Sequence, residues 1–303
     1  MNWFLIAISS PALWSITNHI DKYLIGKYFK GGGTGALIIF SSIIGLFVLP
    51  FILIFQPNVL GISPLQATTI IFSGIISIIA ILIYLYALKR DEASIVVPLF
   101  QTIPVFAFIL GYFVLSEVLM PRQIIGSSLV ILGGVSLSLD LNNKTPKLKT
   151  SIFFLMLLSS FLFALSGLIF KVIAIETDFW TTAFWGYIGD VLMGIFFITS
   201  IKSYRVEFLK VIRENKLPIL GLNAFNEIIN VIASLAFKFA TLLAPLALVW
   251  TVNGFQPFFV FLYGVFITLF FPQLGTESLI KKHIIQKVIT ILVMFIGTYI
   301  LNT

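Results

Sequence analysis

The sequence predicts an all-α membrane protein with ten transmembrane helices in two inverted repeats of five helices each. Three observations lead to this fold class. The chain of 303 residues is 59% apolar and only 10% charged, whereas a soluble domain carries about 25% charged residues. Long apolar segments follow one another along the chain, and one stretch recurs as a weak copy at a fixed offset. Lipid is therefore expected to surround most of the surface.

Ten segments are each long and apolar enough to cross a bilayer as a helix, which takes roughly 20 residues. They are predicted at 3–25, 35–55, 66–88, 94–116, 121–139, 151–175, 180–200, 217–240, 244–271 and 284–301. Polar or turn-forming breaks separate them, and the longest predicted loop runs from Lys202 to Lys216. The apolar runs are too long and too continuous for the alternating strands of a membrane barrel, so helices are expected throughout.

The internal copy divides the chain into a first half (1–139) and a second half (150–303), joined by the polar loop 140–149. Three matches share an offset of 153 residues: Tyr86–Leu88 with Phe239–Thr241, Pro104 with Pro257, and Gly111 with Gly264. Two later matches share an offset of 163 residues: Gln123 with Gln286, and Gly134 with Gly297. Because each half has an odd number of segments, the two halves must cross the membrane in opposite directions, as in transporters built from inverted repeats.

The basic residues predict an orientation. Lys and Arg collect in the loops after the odd-numbered segments, while the loops after the even-numbered segments, together with both tails, hold only Arg122. The positive-inside rule then places the odd-numbered loops in the cytoplasm and both termini outside, in a multi-pass protein of the plasma (inner) membrane. The net charge of +7 is explained by these loops, and nucleic acid is not an expected partner.

A signature lies between Tyr84 and Leu139. It has an Ala ending the third segment, a Pro within the fourth, a Glu at its end, and Gln-x-x-Gly with paired glycines in the fifth. The matching residues are Ala87, Pro104, Gly111, Glu117, Gln123, Gly126, Gly133 and Gly134. This stretch resembles the EamA-type branch of the drug/metabolite transporter superfamily. The second copy departs from the signature, with Phe270 in place of the Glu and Ile289 in place of the glycine that matches Gly126.

The resemblance implies a secondary transporter, often an exporter of amino acids or other small metabolites, with a cavity between the halves. It also implies termini inside the cell, the reverse of the orientation that the basic loops predict. Gly126, Gly133 and Gly134 are expected to allow close helix contact. Pro98, Pro104 and Pro257 are expected to bend helices or form hinges. Glu117, at a helix end, is expected to be solvated or paired with Arg122.

Polar residues at membrane depth are the main indication of chemistry. A charge at mid-bilayer costs at least ~2.5–3.5 kcal/mol, so it should face a cavity or a partner. Asp190 lies in the middle of the seventh segment, and Glu227 in the middle of the eighth. Asn223, Asn226 and Asn230 recur at i, i+3 and i+7 and share a helix face with Glu227. Two interpretations stay open: a hydrogen-bonded seam between helices, or the wall of a water-filled substrate cavity.

Further candidate substrate-binding residues are polar or aromatic residues within other segments. They are Trp14, Asn18, His19, Tyr84, Gln101, Trp185, Trp250, Asn253 and Gln256. Aromatic rings with one polar tip suit cavities for organic solutes, and they also suit the membrane interface. Four charged residues nearer the segment ends are expected to extend toward the headgroups: Asp21, Lys22, Lys171 and Lys238.

The favoured hypothesis is a secondary active transporter in which Glu227, helped by Asp190, either takes up a coupling proton or pairs with a substrate ammonium. The alternative is a lipid-handling or non-transporting membrane interaction protein, which predicts a polar groove open to the bilayer. An enzyme is not expected, since HExxH, Gly-x-Gly-Asp and GxxxxGK[ST] patterns and cysteines are all absent. The expected partners are a small-molecule substrate and lipids, with protons as a candidate coupling ion. No cofactor or metal is expected, and a single chain would suffice.

Overall fold

The computed structural model describes residues 2–27, 34–88, 90, 96–138, 150–214, 217–271 and 281–302. Every regular element within these ranges is helical. The α-helices are α1 Asn2–Lys27, α2 Thr34–Ile43, α3 Gly45–Phe55, α4 Pro64–Leu88, α5 Ile103–Leu115, α6 Pro121–Ser138, α7 Thr150–Glu176, α8 Phe179–Ser200, α9 Lys202–Glu214, α10 Leu217–Leu243, α11 Leu246–Val252, α12 Gln256–Phe270 and α13 Lys281–Asn302. Short 3₁₀ helices occupy Pro57–Leu60, Val97–Thr102 and Asn253–Phe255.

Six helical stretches in the described ranges are long and apolar enough to cross a membrane. They are Gly35–Phe55, Pro64–Ala87, Thr150–Glu176, Phe179–Ser200, Leu217–Leu243 and Leu246–Phe270. Two shorter apolar helices, Leu99–Leu115 and Val288–Leu301, accompany them. Large apolar side chains such as Phe47, Phe113 and Tyr299 point outward, while many serines, threonines and asparagines are buried. This distribution, with apolar groups outside and polar groups inside, suits a lipid environment.

Three predicted segments are interrupted rather than continuous. The segment 35–55 is divided at Ile44, between α2 and α3, and the segments 94–116 and 244–271 each contain a 3₁₀ helix that precedes an α-helix. Pro104 and Pro257 each take the second position of the α-helix that follows, α5 and α12. A proline is tolerated there because its missing N–H would have no partner within the helix. The two prolines that match in the internal copy thus mark the same kind of interruption.

The prediction of a loop from Lys202 to Lys216 is wrong for Lys202–Glu214, which forms the amphipathic helix α9. Phe208 and Val211 are buried, in a cluster that also includes residues of α2 and α8. Glu207 accepts a hydrogen bond from the backbone N–H of Gly35, at the start of α2, through Oε2 at 2.8 Å. This helix therefore lies against the end of the bundle.

Glycines bring α6 and α13 into close contact, as expected for the signature glycines. A Cβ atom on Gly126 would lie 2.6 Å from the carbonyl oxygen of Gly297, and one on Gly297 would lie 2.8 Å from the carbonyl oxygen of Gly126. Gly133 faces Met294 in the same way. The prediction that these glycines allow close helix contact is confirmed.

Long contacts also join other helices of the first half to helices of the second half. α1 packs along α10, α4 packs along both α7 and α8, and α5 packs against both α7 and α11. These pairs leave a space among α1, α4, α7, α8 and α10, where the candidate functional site lies.

Candidate functional site

A cavity of about 430 Å³ lies between helices of the two halves. It is lined by residues of α1, α2, α4, α7, α8 and α10, and by the α11–α12 segment. Most of the predicted site residues are on its walls: Trp14, Asn18, Tyr84, Asp190, Asn226, Glu227, Asn230, Trp250, Asn253 and Gln256. The polar face of α10 and the polar face of Trp250–Gln256 therefore converge on one cavity.

Glu227 is held by hydrogen bonds from two directions. The Ser41 hydroxyl, on α2, donates to Glu227 Oε1 at 2.8 Å, and Asn230 Nδ2 donates to Oε2 at 3.4 Å. The Oδ1 atom of Asn230 accepts in turn from Trp14 Nε1, on α1, at 2.8 Å. The polar face of α10 is thus both a hydrogen-bonded seam between helices and a wall of the cavity.

Asp21 is a third carboxylate on the cavity wall. It accepts a hydrogen bond from Asn226 Nδ2 at 2.7 Å, so the expectation that Asp21 extends toward the headgroups is wrong. The Oδ1 atom of Asn226 is buried and has no hydrogen-bond partner in the described part of the chain. Asp21, Asn226 and Glu227 therefore place acceptor groups on neighbouring positions of the wall.

Asp190 and Lys238 contribute opposite charges to the cavity wall. Ser77 Oγ, on α4, lies 3.4 Å from Asp190 Oδ1 and donates to it. The Lys238 Nζ atom lies 5.0 Å from the ring centre of Tyr187 and 5.3 Å from that of Phe170. The expectation that Lys238 extends toward the headgroups is wrong, because its side chain faces the cavity.

Aromatic rings form the apolar part of the wall around Trp250. Its ring centre is 4.5 Å from that of Phe237 and 6.1 Å from that of Phe163. The Trp250 Nε1 atom and the Asn253 Oδ1 atom are buried, and neither has a hydrogen-bond partner among the described residues. Buried polar atoms are normally paired, so these two are available to a solute in the cavity.

Four predicted site residues are not on the cavity wall. His19 Nε2 lies 3.0 Å from the carbonyl oxygen of Val260, and Trp185 Nε1 donates to the carbonyl oxygen of Val59 at 2.9 Å. Gln101 packs against Gly134 and Gly254. Asn223 is buried at 2% exposure, one turn before Asn226 on α10. The contacts of His19, Trp185 and Gln101 join helices and loops to one another. Asn223 Oδ1 is buried and has no hydrogen-bond partner in the described part of the chain.

An ion pair connects the two halves outside the residues that line the cavity. Glu117 Oε1 pairs with Lys171 Nζ, which also donates to the carbonyl oxygen of Ala244 at 2.7 Å. Glu117 Oε2 accepts from the backbone N–H of Leu246 at 2.8 Å. Both sequence expectations are wrong here: Lys171 does not extend to the headgroups, and Glu117 pairs with Lys171 rather than with Arg122, which is exposed.

The two charged wall residues that sequence reasoning missed follow the helical period of residues that it found. Asp21 comes seven residues after Trp14 and three after Asn18, and Lys238 comes eleven residues after Glu227. Both spacings keep the residues on one helix face. Ser41 and Ser77 gave no comparable signal, because membrane serines commonly bond to the backbone of their own helix.

The cavity can bind a cation or exchange a proton, since three carboxylates and one lysine line it. They are Asp21, Asp190, Glu227 and Lys238. Within the described ranges, no group of three His, Cys, Asp or Glu residues could hold a metal ion. The chemistry of the site is therefore that of charged and hydrogen-bonding side chains inside an aromatic wall.

Comparison with known proteins agrees with this description. Residues 1–139 match the model of the EamA-like transporter family. An uncharacterized protein of Methanocaldococcus jannaschii is 34% identical over 99 residues, which cover 33% of this chain and 72% of that relative. A crystal structure of another protein has a TM-score of 0.71 and 12% identity, and the match covers 99% of this chain and 96% of that chain. The last likeness shows a shared fold alone.

The family match covers the part of the chain that carries the signature from Ala87 to Gly134. The apolar helices described above agree with an integral, multi-pass membrane protein. The chain therefore belongs to the EamA-like transporter family, within the drug/metabolite transporter superfamily.

Proposed function

We propose that this protein is a secondary active transporter that exports small organic metabolites such as amino acids or amines. The observation that carries the proposal is the cavity between the halves, with its carboxylates, its lysine and its aromatic wall. Inverted-repeat transporters bind substrate near the midplane, between the repeats, and open alternately to either side. A cavity lined by helices of both halves suits this mechanism.

The proposed architecture has ten spans in two inverted repeats, 1–139 and 150–303. α1 has 26 residues and α6 has 18, which at 1.5 Å per residue is about 39 Å and 27 Å, near the thickness of the bilayer core. If each span of one half is replaced by its counterpart in the other half, α1 is replaced by α7 and α10 by α4. The contact of α1 with α10 then becomes the contact of α7 with α4, which is also present, and the contact of α6 with α13 maps onto itself. This symmetry of helix pairs supports the inverted repeat.

The proposed coupling group is Glu227, assisted by Asp190. A carboxylate that is hydrogen-bonded to Ser41 and Asn230 within the cavity can hold either a proton or a substrate ammonium, but not both at once. Because the proton and the substrate compete for this carboxylate, export of the substrate is coupled to import of a proton. The other titratable groups on this wall are Asp21, Tyr84, Tyr187 and Lys238.

Flux through proteoliposomes under an imposed pH gradient tests this function. The substrates are a panel of amino acids and amines, and the variants are Glu227→Gln and the control Glu214→Gln, an exposed glutamate at the end of α9. We expect gradient-driven flux in wild type and in the control, and its loss in Glu227→Gln, since the amide cannot exchange a proton.

The other outcomes separate the parts of the proposal. Flux that ignores the gradient in wild type would keep the transporter and remove the proton role. Gradient-driven flux that survives Glu227→Gln would place the coupling elsewhere. No flux of any panel member would count against the function itself and in favour of lipid handling.

A further inference from the structure

Among the described residues that line the cavity, Lys238 is the one charged residue without a hydrogen bond. Among the described residues, its ammonium forms neither an ion pair nor a hydrogen bond, although it lies within electrostatic range of Asp190. The rings of Tyr187 and Phe170 are its near neighbours, at 5.0 and 5.3 Å. A lysine at membrane depth normally pairs with an anion or with backbone carbonyls, as Lys171 does in the same structure.

Trp250 supplies a second hydrogen-bond donor without a partner among the described residues, and it lies near the part of α7 that also approaches Lys238. A Cβ atom on Gly167 would be 3.4 Å from Trp250 Nε1, and Phe170, one turn further along α7, is the ring near Lys238. The Trp250 indole nitrogen is buried and has no acceptor in the described ranges. An indole N–H and an ammonium can only donate hydrogen bonds, so both groups can bind an acceptor that enters the cavity.

We propose that Lys238 and Trp250 form an anion subsite, so that the substrate carries a carboxylate or a similar oxyanion in addition to its amino group. This inference rests on the proposed function and narrows it from amino acids or amines to zwitterions. Asp190, the carboxylate in electrostatic range of Lys238, suits the ammonium of the same head group, because the two charges of an α-amino acid are only a few ångströms apart. The aromatic residues Phe163, Phe170 and Phe237 line the rest of this part of the cavity.

Matched pairs of ligands test the subsite in the complete protein. Each pair is an amino acid and the amine formed by its decarboxylation: L-phenylalanine with phenethylamine, and L-leucine with 3-methylbutylamine. Binding to purified wild type, Lys238→Gln and Trp250→Phe is measured by calorimetry, and flux is measured in proteoliposomes. Lys202→Gln, at an exposed lysine of α9, and Trp180→Phe, at a partly exposed tryptophan, are the control variants.

We expect wild type to prefer the amino acid in at least one pair. Lys238→Gln should weaken binding of that amino acid by about tenfold to a hundredfold, which is the usual effect of losing a hydrogen bond to a charged group. The matched amine should lose little, because it never contacted Lys238. Trp250→Phe should also weaken binding of the amino acid more than binding of the amine, but by a smaller factor than Lys238→Gln. Both control variants should bind as wild type does.

A purely structural role for Lys238, as a counter-charge to Asp190, predicts a different pattern. Lys238→Gln would then weaken both members of a pair equally, and the added change Asp190→Asn would restore the protein; either result would overturn the subsite. Equal affinity of wild type for amine and amino acid would also overturn it, while flux of both would leave the transporter in place. Absence of binding and flux for every ligand would refute the proposed function, and the subsite with it. If Lys238→Gln fails to fold, Lys238→Arg replaces it and should keep the preference for the amino acid.

Discussion

Glu117 and Lys171 carry opposite charges in a part of the molecule where their side chains are only 14% and 7% exposed. Removing one partner of such a pair leaves an uncompensated buried charge, which typically costs about 3–5 kcal/mol. We therefore expect Lys171→Met to lower the thermal stability in detergent strongly. The double variant Lys171→Met with Glu117→Gln should recover much of the loss. Intrinsic tryptophan fluorescence during heating measures both.

Arg122→Met is the control for this prediction, because Arg122 is the exposed cation nearest in sequence to Glu117. It should leave the melting temperature unchanged. Equal losses for Arg122→Met and Lys171→Met would contradict the pairing seen in the structure.

The charged residues show how far single positions can be predicted. Asp190 and Glu227 were found because they lie in the middle of apolar segments, where a charge is costly. Asp21, Lys171 and Lys238 were misjudged because they lie within a few residues of predicted segment ends, where extension toward the headgroups is plausible. The sequence places a residue along its helix, but the partner that it meets depends on which helix packs alongside. Only the assembled structure shows that partner.

At the level of helices, the contact between α6 and α13 gives a second prediction. An alanine at Gly126 would bring its Cβ to 2.6 Å from the Gly297 carbonyl oxygen, so the two helices would have to separate. Such overpacking typically costs about 1–3 kcal/mol. Gly126→Ala should therefore lower the melting temperature of the purified protein.

Gly221→Ala is a matched control within a helix. Gly221 is exposed on α10, and a Cβ atom there would meet nothing within 4 Å. The alanine should be neutral or slightly stabilising, because it favours the helix. Equal destabilisation by both variants would show that the close contact of Gly126 with Gly297 is not the cause of the effect.

Elements were predicted best where one physical constraint dominates. Bilayer thickness sets the length of an apolar run, so the segments that became α4, α7, α8 and α10 were placed within a few residues of the observed bounds. α9 was missed because its charged residues keep it out of any search for apolar runs. Its apolar positions Tyr204, Phe208 and Val211 nevertheless follow the period of a helix with one buried face. The change from a 3₁₀ helix to an α-helix at Pro104 and Pro257 could not be predicted from the sequence, because it is defined by the backbone geometry.

For the molecule as a whole, the distribution of Lys and Arg predicts its orientation in the membrane. We propose that the loops after the odd-numbered spans are cytoplasmic, and the absence of cysteines from the chain makes the test direct. A membrane-impermeant maleimide on intact cells should label Asn58→Cys, between α3 and α4, and should not label Ser203→Cys, in α9, until the cells are permeabilised. Both positions are exposed. The opposite labelling would support the orientation that is usual for the family.

The whole-molecule arrangement was only partly open to prediction. The internal copy at offsets of 153 and 163 residues indicated two related halves, because related sequences fold alike. It did not indicate that α10 packs along α1, or that Asp21, Asp190, Glu227 and Lys238 line one cavity. These pairings depend on side-chain shapes that meet only when both halves are present.

The glycine contact between α6 and α13 also has a consequence for biosynthesis. The ribosome completes α6 well before it reaches the helix that packs on Gly126 and Gly133, which is α13 at Lys281–Asn302. Until then, the glycine face of α6 has no native partner, while the residues from 139 to 280 are still being synthesised. A message truncated before codon 281 would leave that face open to lipid or to other nascent chains. Insertion of α13 is therefore the step that ends the exposure of this face in the newly made chain.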